Sequence, residues 1–516
     1  MKTFQFQKTT KKLLPYVCLF GLLLVFIYGF PLTGSDLTFQ AGMDGSSFSH
    51  WLATANNSGG NFFSAFLNGI LVSVPVLRHI LIAAVLGTLI SVLISYCNPE
   101  RPYMYFVLLF LALAAPKAIF AGTFSSTTGA GTALIPSLLT VLYIFTLCDL
   151  FVYKGKKKTW KIPMLFLSGL AVQFFSEGIS VGILILSLFF LILFCYKVGF
   201  SWHLGAHSFG CILGFVAGLL IKGSNDVVAD SFYTVIDRFS LALDQLFISN
   251  LLLLGILTLG CLLLIQPFRS ERSKNCNITL FLLLVPMGVF VFLNVTSAAL
   301  NPFSTITRFL LVLKIVAALC YCYGVLRTLQ HYVSKDKIRF RVQNALIAVW
   351  IFVLAFSSFT ATQLSMLYIP YILMVGATVV LLTYAFHRHS RMEKVLRKPL
   401  FFVGVAGVLA LSFITFCNSN YSIVTDTHIR DSLSQGILEI TLPQAPYTDR
   451  LNATTREEMA VYYDFPSYGD VKITYLPYEQ WDWITYYEAH NVPVIEEYDE
   501  NDPKNAEWAT EFEEDN

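Results

Sequence analysis

Residues 13–36 read LLPYVCLFGLLLVFIYGFPLTGSD. The run from Leu13 to Phe30 is apolar and follows Lys2, Lys8, Lys11 and Lys12, as a signal peptide would. No small-residue cleavage site comes after it, and Phe30-Pro31 is a poor one. The segment therefore reads as an uncleaved signal anchor, a first membrane span with its basic end in the cytoplasm. Asp36 then stands a few residues beyond the outer end of that span, and the rest of the chain takes its orientation from here.

The remainder is of the same kind. Of 516 residues, 55% are hydrophobic and 13% charged, with mean hydropathy +0.63. That composition excludes a soluble enzyme and indicates an α-helical polytopic membrane protein. A helix needs about 20 apolar residues to cross the hydrocarbon core. Thirteen such segments are expected, near 13–31, 79–97, 103–121, 132–152, 161–175, 178–197, 203–221, 247–266, 278–295, 306–326, 343–361, 364–386 and 399–417.

Basic residues test that count. Clusters at Lys2–Lys12, Lys154–Lys158, Arg269–Lys274, Lys335–Arg341 and His387–Lys398 all fall on one side under thirteen spans, and the positive-inside rule makes that side the cytoplasm. The C-terminus then lies outside. Charge divides the chain accordingly. Residues 421–516 carry 21 acidic against 5 basic side chains, and residues 1–420 carry 12 against 30. The expected organisation is a transmembrane domain over 1–417, an extracytoplasmic module over 418–495 and an acidic, disordered tail over 496–516. Strand-like runs at Gly436–Leu442 and Asp470–Leu476 make the module β or α+β. All ten cysteines lie in or at the ends of apolar segments, so no disulfide framework is expected.

The outer connections would be 32–78, Thr123–Thr132, a tight hairpin at Glu177, Gly223–Gln245 and Thr296–Thr305. The first is too long for a turn, and connections beyond about 12–15 residues are usually functional or disordered. It holds Asp36, Asp44, an amphipathic piece at Phe48–Leu52 and the Gly-rich Asn56–Asn61. A carboxylate at a low-dielectric boundary has a raised pKa, which suits Asp36 to general-base chemistry; a helix-end cap is the plainer reading. Glu177 turns a hairpin with two apolar arms, where a carboxylate costs free energy unless paired or hydrated. Cations gather at the same level: Arg78, Lys117 and Arg308, with Lys314 about 9 Å deeper than Arg308. They suit an anion, a phosphate in the case of Arg, or they reach for lipid headgroups. There is no Walker loop, HExxH, GxSxG or metal-spaced Cys/His pattern, so no motif supports a divalent metal. The basic clusters are short membrane stops rather than a nucleic-acid surface.

The stretches GSDLTF, Trp51…Asn61–Asn68, FSSTTGAGTALIPSLL, FFSEGIS and NPFSTITRFL resemble the GT-C superfamily of integral-membrane glycosyltransferases, and more closely a group of bacterial multi-spanning proteins related to it. Related sequences often carry two adjacent acids where this chain has Ser35-Asp36, and Gly-Arg where it has Gly60-Asn61. The resemblance implies a polyprenyl-phosphate-linked sugar donor and a cell-surface glycan acceptor. It also implies Asp36 as base, Glu177 as base or acceptor-positioning group, and Arg308, Lys117 and Arg78 against the lipid phosphate. A transporter or flippase of a lipid-linked precursor, an O-antigen-type polymerase and a non-catalytic scaffold are the competing expectations.

Overall fold

The computed structural model describes residues 2–30, 33–34, 36–37, 40–41, 62–97, 101–151, 159–175, 177–222, 232–266, 274–296, 305–358, 364–451 and 454–481. Asp44, Trp51, the Gly60-Asn61 pair and the acidic tail lie outside them.

The chain is a bundle of helices: α1 (Lys2–Tyr28), α2 (Phe62–Ser73), α3 (Pro75–Cys97), α4 (Tyr103–Leu113), α5 (Lys117–Phe124), α6 (Thr127–Phe151), α7 (Lys161–Val172) and α8 (Glu177–Val198). Then follow α9 (Trp202–Lys222), α10 (Phe232–Leu243), α11 (Leu251–Ile265), α12 (Lys274–Thr296), α13 (Thr305–Tyr332), α14 (Asp336–Ser358), α15 (Tyr368–Arg388) and α16 (Ser390–Ser434). Among the described residues nine helices are long and apolar enough to cross a membrane, or eleven if two bent pairs each count as one. This is an α-helical multi-pass membrane protein. The thirteen expected segments all overlap helices, but 103–121 is divided between α4 and α5, and two others fall on the shorter apolar pieces Leu14–Tyr28 and Lys161–Val172.

A helix that is apolar all round belongs in the middle, and α15 lies there, buried along nearly its whole length. It also mends a break. Helix α4 ends at Ala114-Ala115-Pro116, and α5 leaves at 90° to it. Its 11 residues rise only about 16 Å, and ending there leaves carbonyls without helical partners. Tyr368 and Tyr371 of α15 donate their hydroxyls to two of these, the carbonyls of Ala112 and Leu111.

The second bent pair corrects an expectation. Hydropathy makes 223–245 a connection, but 232–243 form α10, which passes through a π-helical turn, Asp244–Ile248, and bends 57° into α11. Asn294 of α12 donates to the carbonyl of Ile248 at 2.8 Å, bracing that bend.

The two ends of the bundle differ. At one, Arg101 pairs with Glu393 at 3.0 Å, Arg388 donates to the Tyr332 carbonyl and Arg339 to that of Val333. Asp36, Lys117 and the C-terminal segment lie at the other. There α16, 45 residues long, runs straight through position 417/418 and out of the bundle. Its Ile429 and Leu433 join Ile440, Leu442, Met459 and Phe465 in a small separate core. Around that core β1 (Glu439–Pro443) pairs in parallel with β2 (Lys472–Leu476), Glu439 opposite Lys472. Parallel strands need a crossover, and α17 (Arg456–Tyr462) and α18 (Phe465–Tyr468) supply it. A capping box of Thr455 and Glu458 starts α17.

Candidate functional site

The site begins with the first turn of α6. A helix leaves its first N–H groups without internal partners. Here Ser126 Oγ accepts from the Gly129 N–H at 3.0 Å, and Asp36 takes the other two. Asp36 Oδ2 accepts from the Thr127 N–H at 2.6 Å, and Oδ1 accepts from the Thr128 N–H at 2.8 Å and the Thr128 hydroxyl at 2.5 Å. An anion at a helix N-terminus also meets the positive end of the helix dipole. The loop is fixed on either side. Thr33 donates its hydroxyl to the Ser125 carbonyl at 2.6 Å, and the Gly34 N–H donates to Thr454 Oγ1 at 3.0 Å. Gly34 has φ +57°, which suits glycine in this turn. A side chain at Gly129 would collide with the Gly122 carbonyl, so the close return of α6 beneath α5 needs glycine there.

Asp36 is fully buried. Burial pushes its carboxyl above the ordinary 3.8, against the hydrogen bonds from Thr128 and Thr127 and the nearby charge of Arg78. Arg78, on α3, is also buried, and its Nε and Nη1 have no hydrogen-bond partner. Asn68, on α2 against Gly131 of α6, donates Nδ2 to Ser64 and leaves Oδ1 without a partner; Thr127 Oγ1 is likewise unmet. Two guanidinium donors and two oxygen acceptors thus stand ready around the Asp36 clamp.

The other candidates are placed differently. Lys117 opens α5, and its ammonium pairs with Asp449 of the C-terminal segment, so a phosphate would have to compete for it. Lys314 is also satisfied, by Asp244 at 2.7 Å and by Ser240 Oγ at 3.2 Å. Glu177 is the first residue of α8, where an acid suits the helix dipole. The hairpin before it touches the end of the first loop, the Phe63 N–H donating to the Phe174 carbonyl at 3.0 Å. Arg308 falls in the first turn of α13. The side chains of Glu177 and Arg308 lie outside the described residues.

Two groups were not anticipated from sequence. Arg450 descends from the C-terminal segment onto the Phe120 ring, 5.1 Å from its centroid, and its Nη1 has no partner. Burial lowers its pKa, while Asp449 and Tyr371 pull it back up. Asp426, on the outward stretch of α16, lines a cavity of about 420 Å³ that the first loop shares through Thr33 and Leu37. Its carboxylate accepts from Arg430 Nε at 3.1 Å and from the Tyr463 hydroxyl at 3.0 Å. An acid inside an apolar helix signals itself in a sequence. An Arg or Asp in a hydrophilic tail does not, because nothing there tells which charge folds back onto the bundle.

Among the described residues no group of three or more His, Cys, Asp or Glu could hold a metal ion. Comparison with family models, with curated proteins and with solved structures finds no match for this chain.

Proposed function

We propose that the chain is a membrane glycosyltransferase of GT-C type, transferring a sugar from a polyprenyl-phosphate-linked donor to a surface glycan at the outer face of the cell membrane. Thirteen spans, with α1 and α7 counted, put the N-terminus in the cytoplasm and the C-terminal segment outside. The observation that carries the reading is the grouping of polar residues at the end of the bundle away from the basic connections. There the buried Asp36 carboxylate feels the charge of the buried Arg78, whose donors are unmet, and the loop residues Thr33 and Leu37 on either side of Asp36 help line a cavity roofed by the C-terminal segment.

In this reading the acceptor hydroxyl attacks the anomeric carbon, the bond to phosphate breaks, and the electron pair leaves with the lipid phosphate. Arg78 and Arg450 have donors free to stabilise that charge. Arg308 keeps the place proposed for it. Asp36 holds the loop to α6 by accepting three hydrogen bonds and is fully buried, so service as a base requires the loop to shift and admit the acceptor hydroxyl. Glu177 is the second candidate for proton acceptor or acceptor positioning.

The test compares wild type, gene deletion, Asp36→Asn and Glu177→Gln in the native host, reading polyprenyl-phosphate sugars and wall glycans by mass spectrometry. One lipid-linked sugar is expected to accumulate on deletion while that sugar disappears from a surface polymer, and Asp36→Asn should do the same. If deletion moves neither pool, glycosyl transfer is wrong.

One observation favours a second reading, a transporter or flippase of a lipid-linked precursor. The Lys314–Asp244 pair sits at a π-helical turn in a broken helix, the kind of element that lines ion sites in transporters. If the chain is a transporter, its deletion should accumulate the precursor in the inner leaflet alone, which leaflet-resolved labelling distinguishes.

A further inference from the structure

The cavity at the end of α16 has a wall of definite character. Tyr421 and Tyr475 contribute aromatic rings, Gln444 an amide, Thr448 and Thr454 hydroxyls. Its volume, about 420 Å³, lies within the roughly 300–1,000 Å³ usual for small-molecule sites. Asp426 is the one charged side chain among its described lining residues, and Arg430 already balances it at 3.1 Å. A cationic ligand would find no uncompensated acid there, and an anionic ligand no free cation.

What such a wall suits is a neutral molecule with apolar faces and a rim of hydroxyls. Aromatic rings take the C–H faces of a pyranose, and an amide, hydroxyls and a fixed carboxylate take its O–H groups. Asp426 is well prepared for that task. Arg430 and Tyr463 hold it in place, and each carboxylate oxygen can accept more than one bond.

We infer that this cavity binds a neutral saccharide, with Asp426 as its hydrogen-bonding anchor and Tyr475 at its open rim. The inference rests on the transferase reading for its place in a reaction, where the cavity is the acceptor subsite. The binding itself depends on no donor and is tested without one. The loop residues Thr33 and Leu37 belong to the same wall. Asp36, between them in sequence, is turned away into α6, so the clamp described above shapes the saccharide site from behind.

The full chain, purified in detergent, is applied to an array of immobilised neutral, anionic and amino-sugar oligosaccharides. Retention on at least one neutral glycan is expected. Tyr475→Ala, at a half-exposed rim position whose loss spares the core, should reduce it tenfold or more, and so should Asp426→Asn. Tyr468→Ala, exposed on the same segment but outside the cavity, should leave it unchanged. The inference is overturned if wild type retains no glycan, if only anionic glycans are retained, or if Tyr475→Ala and Asp426→Asn both bind as wild type does. Glycan binding without any change of lipid-linked sugars on gene deletion would keep this inference and remove the transferase reading. Changed pools with no glycan binding would do the reverse.

Discussion

Asp36 joins three parts of the molecule through one carboxylate: the first loop, the start of α6 and the charge of Arg78. Replacing it with Ala leaves two N–H groups and a hydroxyl without acceptors. The expected cost is about 1–3 kcal/mol, the scale of a buried polar group left unsatisfied. Its pH dependence has a definite sign. A carboxyl raised above 3.8 in the folded chain binds its proton more readily there than when unfolded. The folded state is therefore favoured increasingly as pH falls from the raised value towards 3.8. An amide in its place cannot titrate, so wild type should gain melting temperature relative to Asp36→Asn as detergent-solubilised protein is taken from neutral pH to about pH 4. A difference that stays flat, or shrinks, would sink the assignment. That Asp36 lies just past the first span could be read from sequence. That its donors come from Thr127 and Thr128, 91 and 92 residues away, could not, because both are ordinary helix-start residues until the loop closes on them.

At the scale of elements, apolar runs of membrane length were readable one by one. The breaks were less so. Pro116 marks a bend, but its 90° angle depends on Tyr368 and Tyr371 reaching the freed carbonyls from α15. Helix α10 was hidden because Asp237, Arg238 and Asp244 interrupt its hydropathy. Its apolar face, Val235, Ile236, Phe239 and Leu243 among others, follows helical spacing nonetheless. Lys314, deeper than Arg308, is answered from the π-helical turn that follows α10, by Asp244. Lys314→Met alone should cost roughly 1–3 kcal/mol by leaving a half-buried carboxylate unpaired, while the double variant Lys314→Met/Asp244→Leu should recover most of it. Unfolding in detergent, followed for both variants, measures this. If the single variant is as stable as wild type, the pair does not hold α10 against α13.

For the whole molecule, the charge division between body and tail pointed to two physical objects, and two strand-like runs marked the second. Their parallel pairing was not legible, because a hairpin and a crossover connect the same two runs equally well on paper. The crossover is decided by Met459, Tyr463 and Phe465, which close over Ile440 and Leu442. Nor could sequence show how firmly the second object is seated. It touches the bundle through Gly34–Thr454, Lys117–Asp449 and Arg450 on Phe120. The Lys117–Asp449 pair is largely exposed, and such pairs contribute at most about 1 kcal/mol. The seat is set mainly by the helix that leads into it.

That helix, α16, is unbroken for 45 residues, about 67 Å by its rise. It therefore acts as a shaft that fixes the angular phase between bundle and outer segment. One alanine inserted after Ser419 would turn everything beyond it by about 100° and lift it about 1.5 Å. Thr454 would swing away from Gly34 and Asp449 from Lys117. Four inserted residues would come round to within about 40° of the starting phase, at the cost of a lift of about 6 Å. Activity and glycan retention should fall with one or two insertions and return in part with four. A steady decline with insert length would instead mean that height, not rotation, sets the fit.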